Sequence, residues 1–154
     1  MDKKSTSGHI VRNEMANNAV FLPSVGASGG ILIAAAERFF TLSHPHLTQH
    51  TISAKVMVLA ENKTWTITGV YGPQSDGDKI QFLQELTNLQ THMLPTWLVL
   101  GDFNLILNAH EKNNARLNLS LINRFKATVD NLQLARIELR GKNTPGAMTS
   151  NHQQ

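Results

Sequence analysis

The chain contains no cysteine, and that absence excludes a disulfide framework, a thiolate nucleophile and a cysteine-based zinc centre. It agrees with a reducing compartment. Long apolar runs are missing too: Ile31 to Ala36 is apolar, far short of the roughly twenty residues that a bilayer-spanning helix needs. The opening MDKKSTSGHI carries lysines without an apolar h-region behind them, so no secretory signal is read there. Internal repeats and low-complexity tracts are absent, and the basic residues are scattered rather than gathered into an arm. The expectation from these absences is an intracellular, soluble protein with no membrane partner.

What is present has an ordinary globular composition. A length of 154 residues predicts one domain, and a 41% hydrophobic share is too high for a disordered chain. Lys and Arg number 14 against 11 Asp and Glu, for a net charge of +3 and a pI of ≈ 9.5. That mild excess is compatible with nucleic acid as a partner.

Residues 1–18 read as a flexible polar leader. Ala19-Val20-Phe21-Leu22, stopped by Pro23, and the run that restarts at Gly30-Ile31-Leu32-Ile33 predict two strands joined by a glycine-rich turn over 24–30. Those glycines lack the GK[ST] ending and the following helix of a phosphate-binding loop. Phe39 to Leu42 predicts an edge segment. His44, His46 and His50 then cluster around Pro45. Three close imidazoles invite a zinc reading, but no cysteine or HExxH helix accompanies them, and a solvated loop is expected.

Ile52, Ala54, Val56 and Val58 alternate with Thr51, Ser53, Lys55 and Met57, the pattern of a half-buried strand. Glu61-Asn62-Lys63 is a tight connection into a second strand, with Trp65, Ile67, Gly69 and Tyr71 on one face. The two predict an antiparallel hairpin. Beyond Pro73, with Ser75 or Asp76 as cap, Phe82, Leu83, Leu86 and Leu89 mark one face of a helix over about 77–92. Trp97 to Gly101 predicts a buried strand. After a polar loop, Ile122, Phe125, Val129 and Leu132 mark a second helix, capped by Asn118 or Ser120. Ile137-Glu138-Leu139 predicts a last short strand, and 143–154 reads as a polar tail. Strands with helices outside them imply a layered α/β domain.

At the end of the Trp97 strand stand Asp102 and Asn104, two residues apart. In an extended segment such residues share a side, so the pair can address one ligand. The carboxylate can bind a hard cation or take a proton from water, and the amide can donate to a phosphate oxygen. The same pattern also suits an Asx-turn. Tyr71 ends its own strand before Gly72-Pro73, either as a core-edge tyrosine or as a phenol at a strand mouth.

Phe21-Leu22-Pro23-Ser24, Gly26-Ala27-Ser28-Gly29-Gly30-Ile31-Leu32-Ile33, Trp65 to Pro73 and Trp97 to Asn104, in that order, resemble the endonuclease/exonuclease/phosphatase superfamily. The chain is most similar to the endonuclease domains of plant LINE-type retrotransposons, relatives of DNase I. Glu111-Lys112 and Leu139-x-Gly141 also stand where that pattern has them. The resemblance covers 19–142 and implies a four-layer α/β/β/α sandwich, here partial and lacking its N-terminal and C-terminal strands. It implies Mg²⁺-dependent phosphodiester hydrolysis on DNA. By position, Asp102 would orient or deprotonate the attacking water and contribute weakly to metal binding. Asn104 would assist and contact the phosphate, and Tyr71 would hydrogen-bond it. A strand Asn, a metal-binding Glu and a final Asp-His pair belong to the pattern as well. Asn13 and Glu14 lie in the leader without the apolar strand that would mark them. Thr149-Ser150-Asn151 resembles the family's Thr-Trp-Ser-Asn without its tryptophan, and His152 reads as a tail residue. The expected consequence is weak or absent activity, with a complementing chain as a further expected partner and a nuclear location implied by the resemblance alone.

Overall fold

The computed structural model describes residues 18–24, 29–107, 118–137 and 147–150. Strands β1 (Ala19–Leu22) and β2 (Ile31–Ala34) pair antiparallel into a two-stranded sheet. A six-stranded sheet is built from β3 (Phe40–Leu47), β4 (Thr51–Val58), β5 (Lys63–Tyr71), β6 (Trp97–Asp102), β7 (Ala135–Arg136) and β8 (Ala147–Ser150). Its order is β3-β4-β5-β6-β8-β7, and among the described residues β5 and β6 are the one parallel pair of neighbours. Parallel neighbours need a crossover, supplied by α1 (Asp76–Leu89) and a 3-10 turn over Gln90–His92. The second helix, α2 (Leu119–Asn131), is capped by the Asn118 side chain, which accepts from the Leu121 N–H. At α1 the cap position is Ser75, whose side chain makes no capping bond.

Two cores sit on the two faces of the large sheet. On one, Phe82, Leu83, Leu86 and Leu89 of α1 and Phe125 and Val129 of α2 pack against Val70, Trp97, Val99 and Met148. On the other, Val20 and Ile33 of the small sheet pack against Ile52 and Ala54. Helices, large sheet and small sheet are therefore stacked as three layers, in agreement with a partial DNase I-like sandwich.

Packing on both faces corrects the reading of the Thr51–Val58 strand as half-buried. Thr51, Ser53, Thr66 and Thr68 are as buried as the apolar row. Their hydroxyls find partners inside the protein: Ser53 and Thr68 bond each other at 2.7 Å, and the Trp97 indole N–H donates to Thr68 at 2.8 Å. A buried hydroxyl with a partner carries no large desolvation cost, so this threonine-rich row lies under the helices.

Other expectations change as well. The edge strand extends from Phe40 to Leu47 and takes in His44 and His46, with its register shifting between Ser43 and His46. The loop reading fails for His44 and His46, where a φ of 49° at His44 makes a bulge and Pro45 needs no ladder partner on an edge, and it holds for His50 in the turn that follows. Asn18, placed in the leader, is buried; its amide donates to the Ala35 and Phe40 carbonyls, and its oxygen accepts from the Leu42 N–H. A two-residue strand forms at Ala135–Arg136, just ahead of the predicted 137–139, of which Glu138 and Leu139 lie outside the described residues. Within the stretch read as a polar tail, Ala147–Ser150 forms β8 between β6 and β7, with Met148 buried in the helix-side core.

Candidate functional site at the ends of the two parallel strands

Strands β5 and β6 run parallel and stop together, which brings Tyr71 and Asp102 directly side by side in register. Carboxyl ends of parallel strands are where open α/β sheets gather ligand groups. Trp97 and Val99 point into the helix-side core, so alternation turns Asp102 to the other face. Tyr71 shares that face with Ile67, and its ring lies against Gly29, where an added Cβ would sit 3.6 Å from the phenol carbon.

Backbone geometry at this mouth is tightly fixed. The Gly72 N–H donates to the Asp102 carbonyl at 2.7 Å, tying the two strand ends together. A methyl on Gly72 would overlap the Phe103 carbonyl oxygen and stand 3.0 Å from Phe82 Cε1. Gly101 has a φ of +138°, and a methyl there would overlap the Val70 carbonyl oxygen. Phe103 anchors the turn from beneath, 6% exposed, with its ring centroid 5.4 Å from that of Phe125.

Asp102 is exposed. One of its oxygens accepts the Asn104 N–H at 2.9 Å, and among the described residues the other oxygen has no hydrogen-bond partner. An Asx-turn and an outward carboxylate are thus both present. Asn104 sits at a φ of 50°, a left-handed conformation that asparagine tolerates. Its amide donates to the Gly72 carbonyl at 2.6 Å, so Asn104 braces the β5 end against the β6 turn.

One cluster at this sheet end escaped the sequence reading. The Tyr71 N–H donates to the carbonyl of His50 at 3.0 Å. The His50 ring in turn bonds the carboxylate of Glu85 on α1 through Nδ1 at 3.0 Å. Glu85 stands at the border of the apolar face of α1, between Phe82 and Leu89, and its partner is 35 residues away, so no local spacing could reveal the pair. The three clustered histidines go separate ways. His50 pairs with Glu85, His46 stacks on His92 with centroids 4.7 Å apart, and His44 bonds Ser43. Burial, and the charge of His92 beside it, hold the His46 imidazole below its ordinary pKa.

A resident Mg²⁺ shares several oxygen ligands. The described residues bring one exposed carboxylate to the mouth, and nowhere do they gather three histidine or acidic side chains around a possible metal. They do not fit such an ion by themselves. Asn13, Glu14, Glu111, Lys112, Leu139, Gly141, Asn151 and His152, together with most of the glycine-rich turn, lie outside the described residues.

No protein-family model matches the sequence, and no curated protein matches it. Among solved structures, the chain is similar to the human Nocturnin catalytic domain with bound sulfate anion, at 16% identity and a TM-score of 0.55. It is also similar to the endonuclease domain of TRAS1, a telomere-specific non-LTR retrotransposon, at 11% identity and a TM-score of 0.60. The matches cover 88% and 86% of this chain, which spans 60% and 67% of the two structures. The fold is therefore DNase I-like, as the resemblance of the Trp65–Pro73 and Trp97–Asn104 motifs implied.

Proposed function

We propose that this chain is a phosphodiester-directed domain of retrotransposon-endonuclease type, acting on DNA in the presence of Mg²⁺ and slow by itself. The observation that supports this reading is the side-by-side placement of Tyr71 and Asp102 on one face at the ends of two parallel strands. Hydrolysis by in-line displacement at phosphorus needs an activated water and stabilisation of the charge on the non-bridging oxygens. The unpartnered oxygen of Asp102 orients the water and takes its proton. The Tyr71 phenol donates to a phosphate oxygen. Asn104 holds the two strand ends at a fixed separation through Gly72.

Slowness follows from what the described residues bring to the mouth. A single exposed carboxylate holds Mg²⁺ weakly, and general acid–base help from one further group is worth about 10²–10⁴ in rate. Nicking of supercoiled plasmid with Mg²⁺ tests the assignment. Slow nicking that disappears in Asp102→Ala is expected. Nicking of equal rate in Asp102→Ala would overturn the role given to Asp102.

A second reading, nucleic-acid binding without hydrolysis, is favoured by the net charge of +3 together with that lone carboxylate. Phosphate-driven binding weakens steeply with salt. Salt-sensitive DNA binding with no nicking would select this reading. Complementation by another chain belongs with it, because Leu100, two residues before Asp102 on the same face, is 37% exposed.

A further inference from the structure

Tyr71 is the only tyrosine in the chain, and its position depends on a contact made from outside its own strand. Beyond the β4–β5 ladder, the Tyr71 N–H is accepted by the His50 carbonyl at 3.0 Å. His50 lies in the turn between β3 and β4, and Glu85 of α1 grips that turn. One carboxylate oxygen accepts the His50 backbone N–H at 2.9 Å and also bonds the Thr48 hydroxyl. The other bonds His50 Nδ1 at 3.0 Å. Both side chains are largely buried, at 11% and 13% exposed, and the imidazole meets the fully buried Phe82 ring at 68°, with centroids 5.5 Å apart.

We infer that Glu85 and His50 are positioning residues for Tyr71. A carboxylate shielded from water makes hydrogen bonds about twice as strong as neutral ones, and three of them converge on one short turn. They hold the His50 carbonyl where it meets the Tyr71 N–H, and so fix the last residue of β5 beside Asp102. Accepting from Nδ1 also selects the tautomer that carries its proton there. The role rests on the reading of Tyr71 as a phosphate-facing group, but the measurement does not require catalysis.

The test is amide hydrogen exchange by NMR on the full chain, with ¹³C-labelled tyrosine giving a single ring signal. Glu85→Gln keeps one oxygen for the turn and puts an NH₂ group, which donates and cannot accept, opposite His50 Nδ1. Its expected effect is roughly tenfold faster exchange at Tyr71, a shifted tyrosine ring signal, and unchanged exchange at Ile67 and Thr68 in mid-strand. Glu85→Ala, if it folds, is expected to exceed Glu85→Gln. The exposed Gln84→Ala next to it is expected to leave Tyr71 unmoved. Wild-type exchange at Tyr71 in Glu85→Gln would overturn the inference. So would an equal acceleration of Tyr71, Ile67 and Thr68, since Glu85 would then support only overall stability. Failure to cleave DNA would count against the proposed hydrolysis and leave this result standing.

Discussion

Replacing Gly101 by alanine is expected to destabilise the protein by about 2–6 kcal/mol. Two independent costs add. The φ of +138° is a conformation that residues with a Cβ rarely adopt, and holding one there costs about 1–3 kcal/mol. The new methyl would also overlap the Val70 carbonyl oxygen, with the Val70 carbonyl carbon and nitrogen both 2.9 Å away. These are backbone atoms of a central strand, so they cannot turn aside, and comparable overpacking costs about 1–3 kcal/mol. Urea unfolding followed by tryptophan fluorescence reads the effect, because Trp97 is 2% exposed in the fold. With a slope of about 2 kcal/mol per molar, the midpoint falls by about 1–3 M. Gly77→Ala is the control. Gly77 lies in the first turn of α1, and a Cβ there meets only Ser75 Oγ at 3.6 Å. That change is expected to be neutral or to stabilise by up to about 1 kcal/mol. A Gly101→Ala midpoint equal to the wild type, or to Gly77→Ala, would refute the claim that this turn is sterically closed.

Two further outcomes are expected. Asn104→Gly keeps the left-handed backbone but loses the amide bond to the Gly72 carbonyl, costing about 1 kcal/mol; Asn104→Ala adds conformational strain of about 1–2 kcal/mol, so denaturation midpoints should rank wild type, glycine, alanine. The lowered pKa of His46 makes stability fall with acid. Above pH 6.5 the imidazole is neutral in both states and contributes nothing; below it the unfolded chain takes up a proton that the folded site resists, so unfolding gains. Urea midpoints measured from pH 8 to 5 should drop less in His46→Gln than in wild type, and parallel curves would refute the assignment.

Much of the fold was legible in the sequence because its signals are local. The alternation in 51–58 and 64–71, the 82/83/86/89 spacing and the apolar run closed by Gly101 each depend on residues a few positions apart, and each element formed where the pattern placed it. Strand β8 was not legible. Ala147–Ser150 has no periodicity long enough to read, and it becomes a strand by pairing with β6 and β7. The threonine row was misjudged for a related reason: a hydroxyl looks polar in sequence, and whether it faces water depends on whether another hydroxyl or an indole N–H meets it inside.

The same division runs through the candidate site. Spacing along the chain was enough to put Asp102 and Asn104 just behind an apolar strand closed by Gly101, and Tyr71 at the end of another strand. Those facts are carried by residues a few positions apart, although Asn104 itself leaves the extended conformation at a φ of 50°. Only the tertiary structure decided that the two strands run parallel and stop in register, so that Tyr71 stands beside Asp102. Only it turned the Asn104 amide onto Gly72 and joined Glu85 to His50 behind Tyr71. These contacts join residues 31 to 35 positions apart, and at such separations pairing is set by which surfaces pack together rather than by spacing along the chain.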